Sequence, residues 1–259
     1  MAKPSGGKGG EVEAPAYKQV ALKVETMLAD GALTPGEPLP NEAELAARFG
    51  VNRSTIRESL RLLEDTGYVD RISPRKLVAA LPGAKSLAAR TARALYANRV
   101  TQRDVFETTL VVEPKLAAFA AQRATADQID ALRRNLIEME RRVAEGGDIG
   151  ALDAAFHDLL HRASQQLALR IAVEPFNALF TPMVAGLHYH DAASVDARRA
   201  MRERLLVAHG RIVDAIERGD AELAELWARR HLQDFERGCD LVGIDLDTPF
   251  DRAVLDSLQ

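Results

Sequence analysis

Between Asn41 and Ala80 the chain carries helix start and stop signals spaced too closely for long helices, and that spacing limits its fold more than any other feature. Asn41 is placed to cap a short helix, with Glu44 three residues on completing a box-like start. An Asn side chain accepts from the orphan amides of a first turn, and a Glu three residues later reaches back to the cap. Leu45 and Phe49 give this helix a buried side, and Gly50 is placed to end it. Asn52 caps the next helix, whose inner face is Ile56, Leu60 and Leu63. Upstream, Val20, Val24, Met27 and Leu28 recur at helical spacing and stop near Asp30-Gly31, and Pro35 to Pro40 is turn-rich. Downstream, Tyr68–Arg71 and Leu77–Ala80 are strand-like runs on either side of Ser73-Pro74-Arg75-Lys76, a hairpin tip. Three short helices followed by a hairpin predict a winged helix-turn-helix, α with a small β-hairpin wing.

Beyond Leu81-Pro82-Gly83 nearly every segment reads as amphipathic helix, rich in Ala, Leu, Arg and Glu. Caps and breaks at Thr101, Thr125 with Gln128, Gly146-Gly147 and Gly219-Asp220 predict about seven helices. The expected organisation of this mostly α chain is a disordered arm over 1–15, the winged domain over 16–82, an all-α helical bundle over 83–240, and a C-terminal tail over 241–259. The opening MAKPSGGKGGEVEAPA has no apolar core of the kind a signal peptide needs. No apolar run approaches the roughly 20 residues that cross a bilayer. The single cysteine, Cys239, excludes an internal disulfide framework and a multi-cysteine zinc site. A cytoplasmic, nucleoid-associated protein without a membrane partner is expected.

A net charge of −4 argues against a surface that is basic throughout, so any nucleic-acid face must be local. The third helix supplies one. Arg53, Arg57 and Arg61 follow one another at four-residue spacing, away from Ile56, Leu60 and Leu63. A recognition helix needs an apolar stripe to seat it and long donors that reach base edges or phosphates in the major groove. Ser54 and Thr55 add short donors at the helix N-terminus, which itself favours a phosphate. Arg75 and Lys76 at the hairpin tip would reach the flanking backbone or minor groove. An Arg-rich face alone is more often a solvated helix surface; its combination with three short helices and a basic hairpin tip points to DNA.

The stretch PGEPLPNEAELAARFGVNRSTIRESLRLLEDTGYVDR resembles the signature of the GntR family of bacterial regulators. The resemblance, covering roughly Tyr17 to Ala80, implies that Arg53 and Arg57 contact a double-stranded operator with help from the wing tip. Two departures stand out. The family usually carries Arg where this chain has Ala43, and its wing usually has a Gly-x-Gly pair where Pro74 and Lys76 flank Arg75. Both imply an altered operator or wing geometry.

In the helical region, polar residues sit on apolar stripes. Ile149, Asp153, Phe156 and Leu160 share a face, with His157 four residues after Asp153. Leu205, His209, Ile212 and Ile216 make a second stripe, and Leu223, Trp227, His231 and Phe235 a third. A lone histidine on such a face is usually a satisfied core residue. Four convergent groups without partners would be costly, and a divalent cation satisfies them together. Mixed imidazole and carboxylate ligands suit Zn, Ni, Fe or Mn. This region resembles the FCD ligand-binding domain of the FadR-type GntR subfamily: Asp153 and His157, His209 ahead of Asp214-Ala215-Ile216-Glu217-Arg218-Gly219-Asp220, then His231. The resemblance implies that those four hold a metal beside a pocket for a small organic acid. It also marks departures, with Thr109 where an Arg is common and Gln165-Gln166 where Gly-Asn is usual.

His157-Asp158-Leu159-Leu160-His161 also has the spacing of a zinc-protease helix, with Asp in place of the catalytic Glu. At about 100° per residue, His161 falls roughly 80° around from Asp153, toward the polar edge, and is expected to be dispensable for metal. The tandem His188 and His190 are read as exposed or pocket-lining.

These features predict a ligand-responsive transcriptional repressor or activator, a homodimer on a pseudo-palindromic operator, and not an enzyme. Two alternatives are a pure metal sensor and a metal-dependent hydrolase tethered to DNA.

Overall fold

The computed structural model describes residues 14–74, 76–82, 84–188 and 195–251. The arm expected over 1–15 lies almost wholly outside the described residues, as do Arg75 and His190. The chain divides into two compact units, residues 1–86 and 87–259.

The first unit contains α1 (Ala16–Ala29), α2 (Glu42–Phe49), α3 (Arg53–Thr66), β1 (Val69–Ser73) and β2 (Lys76–Ala79). The local signals act as expected. Asn41 accepts from the amides of Ala43 and Glu44, and the Glu44 carboxylate accepts from the Asn41 amide. Gly50 and Gly67 close α2 and α3 at φ of 68° and 82°, left-handed values that a β-carbon disfavours. Asn52 caps α3 through the amide of Thr55. The inner side of α3 is fixed by Ile56, Leu60 and Leu63, all buried against residues of α1, the hairpin and the α1–α2 connection. The buried Ser59 hydroxyl donates to a backbone oxygen, with those of Tyr17 and Thr55 both 2.8 Å away, and so ties α3 to the start of α1. The strands pair antiparallel, Val69 opposite Ala79 and Asp70 opposite Val78, with an irregularity between Arg71 and Ser73.

The second unit is an all-α bundle of seven helices among the described residues, the number expected from caps and breaks. They are α4 (Ala84–Ala97), α5 (Gln102–Arg123), α6 (Ala126–Ala144), α7 (Gly150–Ala163), α8 (Leu167–His188), α9 (Val195–Glu217) and α10 (Ala221–Val242). Thr101 and Thr125 form capping boxes with Asp104 and Gln128. One core, built on Leu132, Met139, Phe156, Leu160, Ile212 and Ile216, joins α6, α7 and α9 to the facing parts of α5 and α10. A second core, including Phe106, Phe180 and Phe235, joins α5, α8 and α10.

Within the C-terminal tail expected over 241–259, residues 243–250 pack on this unit. Leu246 and Phe250 are buried, Pro249 pairs with Thr101, and Arg103 forms ion pairs with Asp247 and Glu236. Two apolar side chains in a short stretch of mixed polarity gave no sustained periodic signal. At the end of α7, Gln165 takes a φ of 51° where the resembling family has glycine. It holds this left-handed conformation while its side-chain amide donates to the Arg123 carbonyl. No described helix is long and apolar enough to cross a membrane.

Candidate DNA-facing helix and metal centre

In the first unit, Arg53, Ser54, Arg57 and Arg61 are exposed on α3, opposite its buried stripe. Thr55 is half-buried, and its amide is spent on the Asn52 cap. The Ser54 hydroxyl donates to Asn52 at 2.7 Å, so it must turn before it can donate to a phosphate. Arg57 is oriented by Glu42 of α2, its Nε donating to Oε2 at 2.8 Å. Lys76 opens β2, exposed and opposite Ser73. Arg71, which the sequence did not single out, grips Glu64 of α3 through Nε at 3.1 Å and Nη2 at 2.5 Å, and donates from Nη1 to the Pro74 carbonyl. This fork fixes the base of a wing that lacks the usual glycines relative to the helix it flanks. A cleft of about 450 Å³ lies between them, lined by Glu42, Arg57, Arg61, Glu64, Arg71 and Pro74 among others.

In the second unit, His157 of α7, His209 of α9 and His231 of α10 each bring a ring nitrogen within 4.8 Å of the others. The Nε2 atoms of His209 and His231 are 3.4 Å apart. Asp153, one turn before His157, places Oδ1 3.6 Å from His209 Nε2 and 3.9 Å from His157 Nε2. That oxygen is buried with no hydrogen-bond partner among the described residues. Ligand atoms about 2.1 Å from one ion at tetrahedral angles stand about 3.4 Å apart, close to the 3.4, 3.6 and 3.9 Å separations within this cluster. Phe156 stacks on the His209 ring at 3.8 Å and 9°, which holds its orientation. His209 and Asp153 are buried, whereas the His157 side chain keeps 20% exposure, so the cluster is open on the His157 side.

Burial pushes the Asp153 carboxyl above its ordinary value; His157 offsets this in part, and the carboxylate of Glu113 adds to it. For His157, burial acts downward but is overridden by the Glu113 carboxylate, with Asp153 assisting, and the imidazole is pushed up to about 9. A cation among these groups would replace that proton.

The sequence reading missed two features here. Glu113 of α5 is buried, with one oxygen accepting from His157 Nδ1 and the other from His161 Nε2, the latter at 2.7 Å. His161 is itself buried, 2% exposed, rather than at the polar edge. The angular argument assumed a helix covered on one side only, but α7 contacts α5, α6 and α8, so its buried arc is wider. A signal for Glu113 existed: Phe106, Thr109, Glu113, Leu116 and Ala120 recur at helical spacing, and all are buried. Thr109 stands buried one turn before Glu113, its hydroxyl returned to the Val105 carbonyl. The side chains of His188 and His190 lie outside the described residues.

The model of "Bacterial regulatory proteins, gntR family" matches residues 16–75, and that of the "FCD domain" matches residues 104–234. The Uxu operon transcriptional regulator of Escherichia coli is 28% identical over 249 residues, covering 93% of each chain. A regulator in an unstable DNA locus of Streptomyces ambofaciens is 30% identical over 219 residues, covering 83% of this chain and 81% of its own. Among solved structures, Streptococcus agalactiae GntR superposes with a TM-score of 0.62 at 23% identity, over 85% of this chain and 99% of that one, a likeness of fold.

Proposed function

The chain belongs to the GntR family of bacterial regulatory proteins and carries an FCD domain, a DNA-binding transcriptional regulator rather than an enzyme, and from that premise we propose that a divalent metal and a small organic-acid effector in the helical unit modulate its grip on a palindromic operator. The observation that carries the metal is the meeting of three imidazole nitrogens with the buried oxygen of Asp153, which has no hydrogen-bond partner among the described residues. Asp153, His157, His209 and His231 would hold the ion; Zn, Ni, Fe and Mn all accept such a donor set. Bound there, the ion would offer a Lewis-acid position to an effector carboxylate or hydroxyl. The chain's own residues do the rest. Phe156 holds His209 in plane, Asp153 neutralises part of the cation's charge, and the partly exposed His157 side leaves a way in for a ligand. Thr109, lacking the positive charge usual at its position, favours an effector held through the metal and hydroxyl groups over one held by an arginine.

On DNA, Arg53 and Arg57 would read base edges or phosphates from α3, Ser54 and Thr55 would approach the backbone, and Lys76 with Arg75 would flank it. One such helix offers few base contacts, and a homodimer doubles them across a two-fold operator. The relatives include both a transcriptional repressor, NanR of Cronobacter sakazakii, and an activator, that of the Glc operon of Escherichia coli, so the direction of regulation is a separate property.

The metal-sensor reading shares every ligand and differs only in taking the ion as the signal. A hydrolase of the zinc-protease kind is disfavoured by His161, whose Nε2 is engaged by Glu113 instead of standing with His157. Elemental analysis of purified protein, with operator binding compared between chelator-stripped and reloaded samples, tests the proposal. One equivalent of metal in the wild type and none in His209→Ala supports the site, and an effector requirement on top of metal separates it from a metal sensor. Equal, negligible metal in both would refute it.

A further inference from the structure

Glu113 is a buried charged group of the helical unit that the ion-binding residues alone do not explain. Its side chain is 3% exposed, and its ion partners among the described residues are two imidazoles rather than a lysine or arginine. Burying a carboxylate is costly unless each oxygen is matched. Here each is: Oε1 faces His157 Nδ1, and Oε2 faces His161 Nε2 at 2.7 Å. On the far side of His161, Nδ1 lies 3.2 Å from the Asn177 side-chain nitrogen of α8.

Only one arrangement of protons satisfies this chain when His157 is a metal ligand. An ionised carboxylate has no hydrogen to give, so His157 Nδ1–H and His161 Nε2–H both donate to it. His161 Nδ1 then carries a lone pair and accepts from Asn177. His157 is left with its lone pair on Nε2, the atom that faces Asp153 at 3.9 Å.

We propose that Glu113, seated by His161 and Asn177, is the positioning residue of the ion site: it fixes the tautomer and ring orientation of His157 so that Nε2 meets a divalent cation. This rests on the ion-binding reading above and names a residue that acts through a ligand. Outer carboxylates of this kind orient a ligating imidazole and raise its basicity, and losing one typically weakens metal binding 10–100-fold. His161 thereby has a reason to be buried on α7, and the zinc-protease-like spacing of His157 and His161 reflects two imidazoles sharing one carboxylate.

The test uses full-length protein stripped of metal and titrated with Zn²⁺ alone against a chromophoric chelator. The wild type should bind one ion, and His209→Ala should lose it. Glu113→Gln, nearly isosteric, should bind about 10–100-fold more weakly. At saturating Zn²⁺, ¹⁵N-edited NMR should show the His157 Nδ1 proton far downfield in the wild type and moved upfield in Glu113→Gln. That resonance reads the hydrogen bond directly, whatever the variant does to stability. A Glu113→Gln protein with wild-type Zn²⁺ affinity, or with the His157 proton unmoved, overturns the inference, while loss of binding in His209→Ala still upholds the ion site itself. If wild type and His209→Ala both fail to bind, the ion-site reading falls first.

Discussion

Replacing Arg57 by alanine should separate folding from DNA recognition. The Arg57 side chain is 62% exposed, and its partner Glu42 is 40% exposed, so their 2.8 Å contact is a solvent-screened surface pair. Such pairs contribute about 0–1 kcal/mol. The seat of α3 is elsewhere, in Ile56, Leu60, Leu63 and the Ser59 tie to α1, none of which the substitution touches. The variant should therefore fold with nearly the wild-type melting temperature. Binding is another matter. The bond to Glu42 uses only Nε, and a guanidinium has four further N–H donors for a base edge or phosphate. Losing a base contact costs about 1–3 kcal/mol, roughly 5–150-fold in affinity, and losing a phosphate contact lowers the salt slope by about one. Fluorescence anisotropy on an operator duplex at several salt concentrations reads both quantities. A folded Arg57→Ala protein with unchanged affinity and salt slope would remove this face of α3 from the interface.

Other consequences can be checked separately. In ion-free protein the raised His157 value, about 9 against an ordinary 6.5, contributes stability that is complete below 6.5 and is lost as pH rises through about 9. Thermal unfolding in chelator should show the wild type losing stability relative to Glu113→Gln across that window, and parallel curves would contradict the His157–Glu113 pairing. Leu63→Ala, at a fully buried position of α3, should destabilise the DNA-binding unit by about 2–5 kcal/mol; a loss under about 1 kcal/mol would mean that α3 is not seated on α1. Burial, aided by Asp240 and Glu236, pushes the Cys239 thiol up to about 12, so the folded protein should resist alkylation at pH 8 and react once denatured.

The winged unit was legible because its signals are local. Asn41, Glu44, Gly50 and Asn52 act within four residues of themselves, and the structure uses each as a cap or terminator. The meeting of Asp153 with three histidines was legible because each sits on an apolar stripe of its own helix. What escaped was set by contacts between distant helices. Glu113 lies 44 residues before His157, and no local pattern pairs them. His161 was misplaced because the angular width of a buried face depends on how many neighbours a helix has. The wing clamp of Arg71 on Glu64 and the packing of Leu246 and Phe250 are likewise products of tertiary closure.

The central claim, that this chain reads DNA as a symmetric regulator through α3, is tested most directly by selecting bound duplexes from a random pool with full-length protein and sequencing them. Enrichment of an inverted repeat with two half-sites about one helical turn apart, lost with Arg57→Ala, is the predicted result. A wild-type selection that enriches no sequence above the starting pool would contradict it.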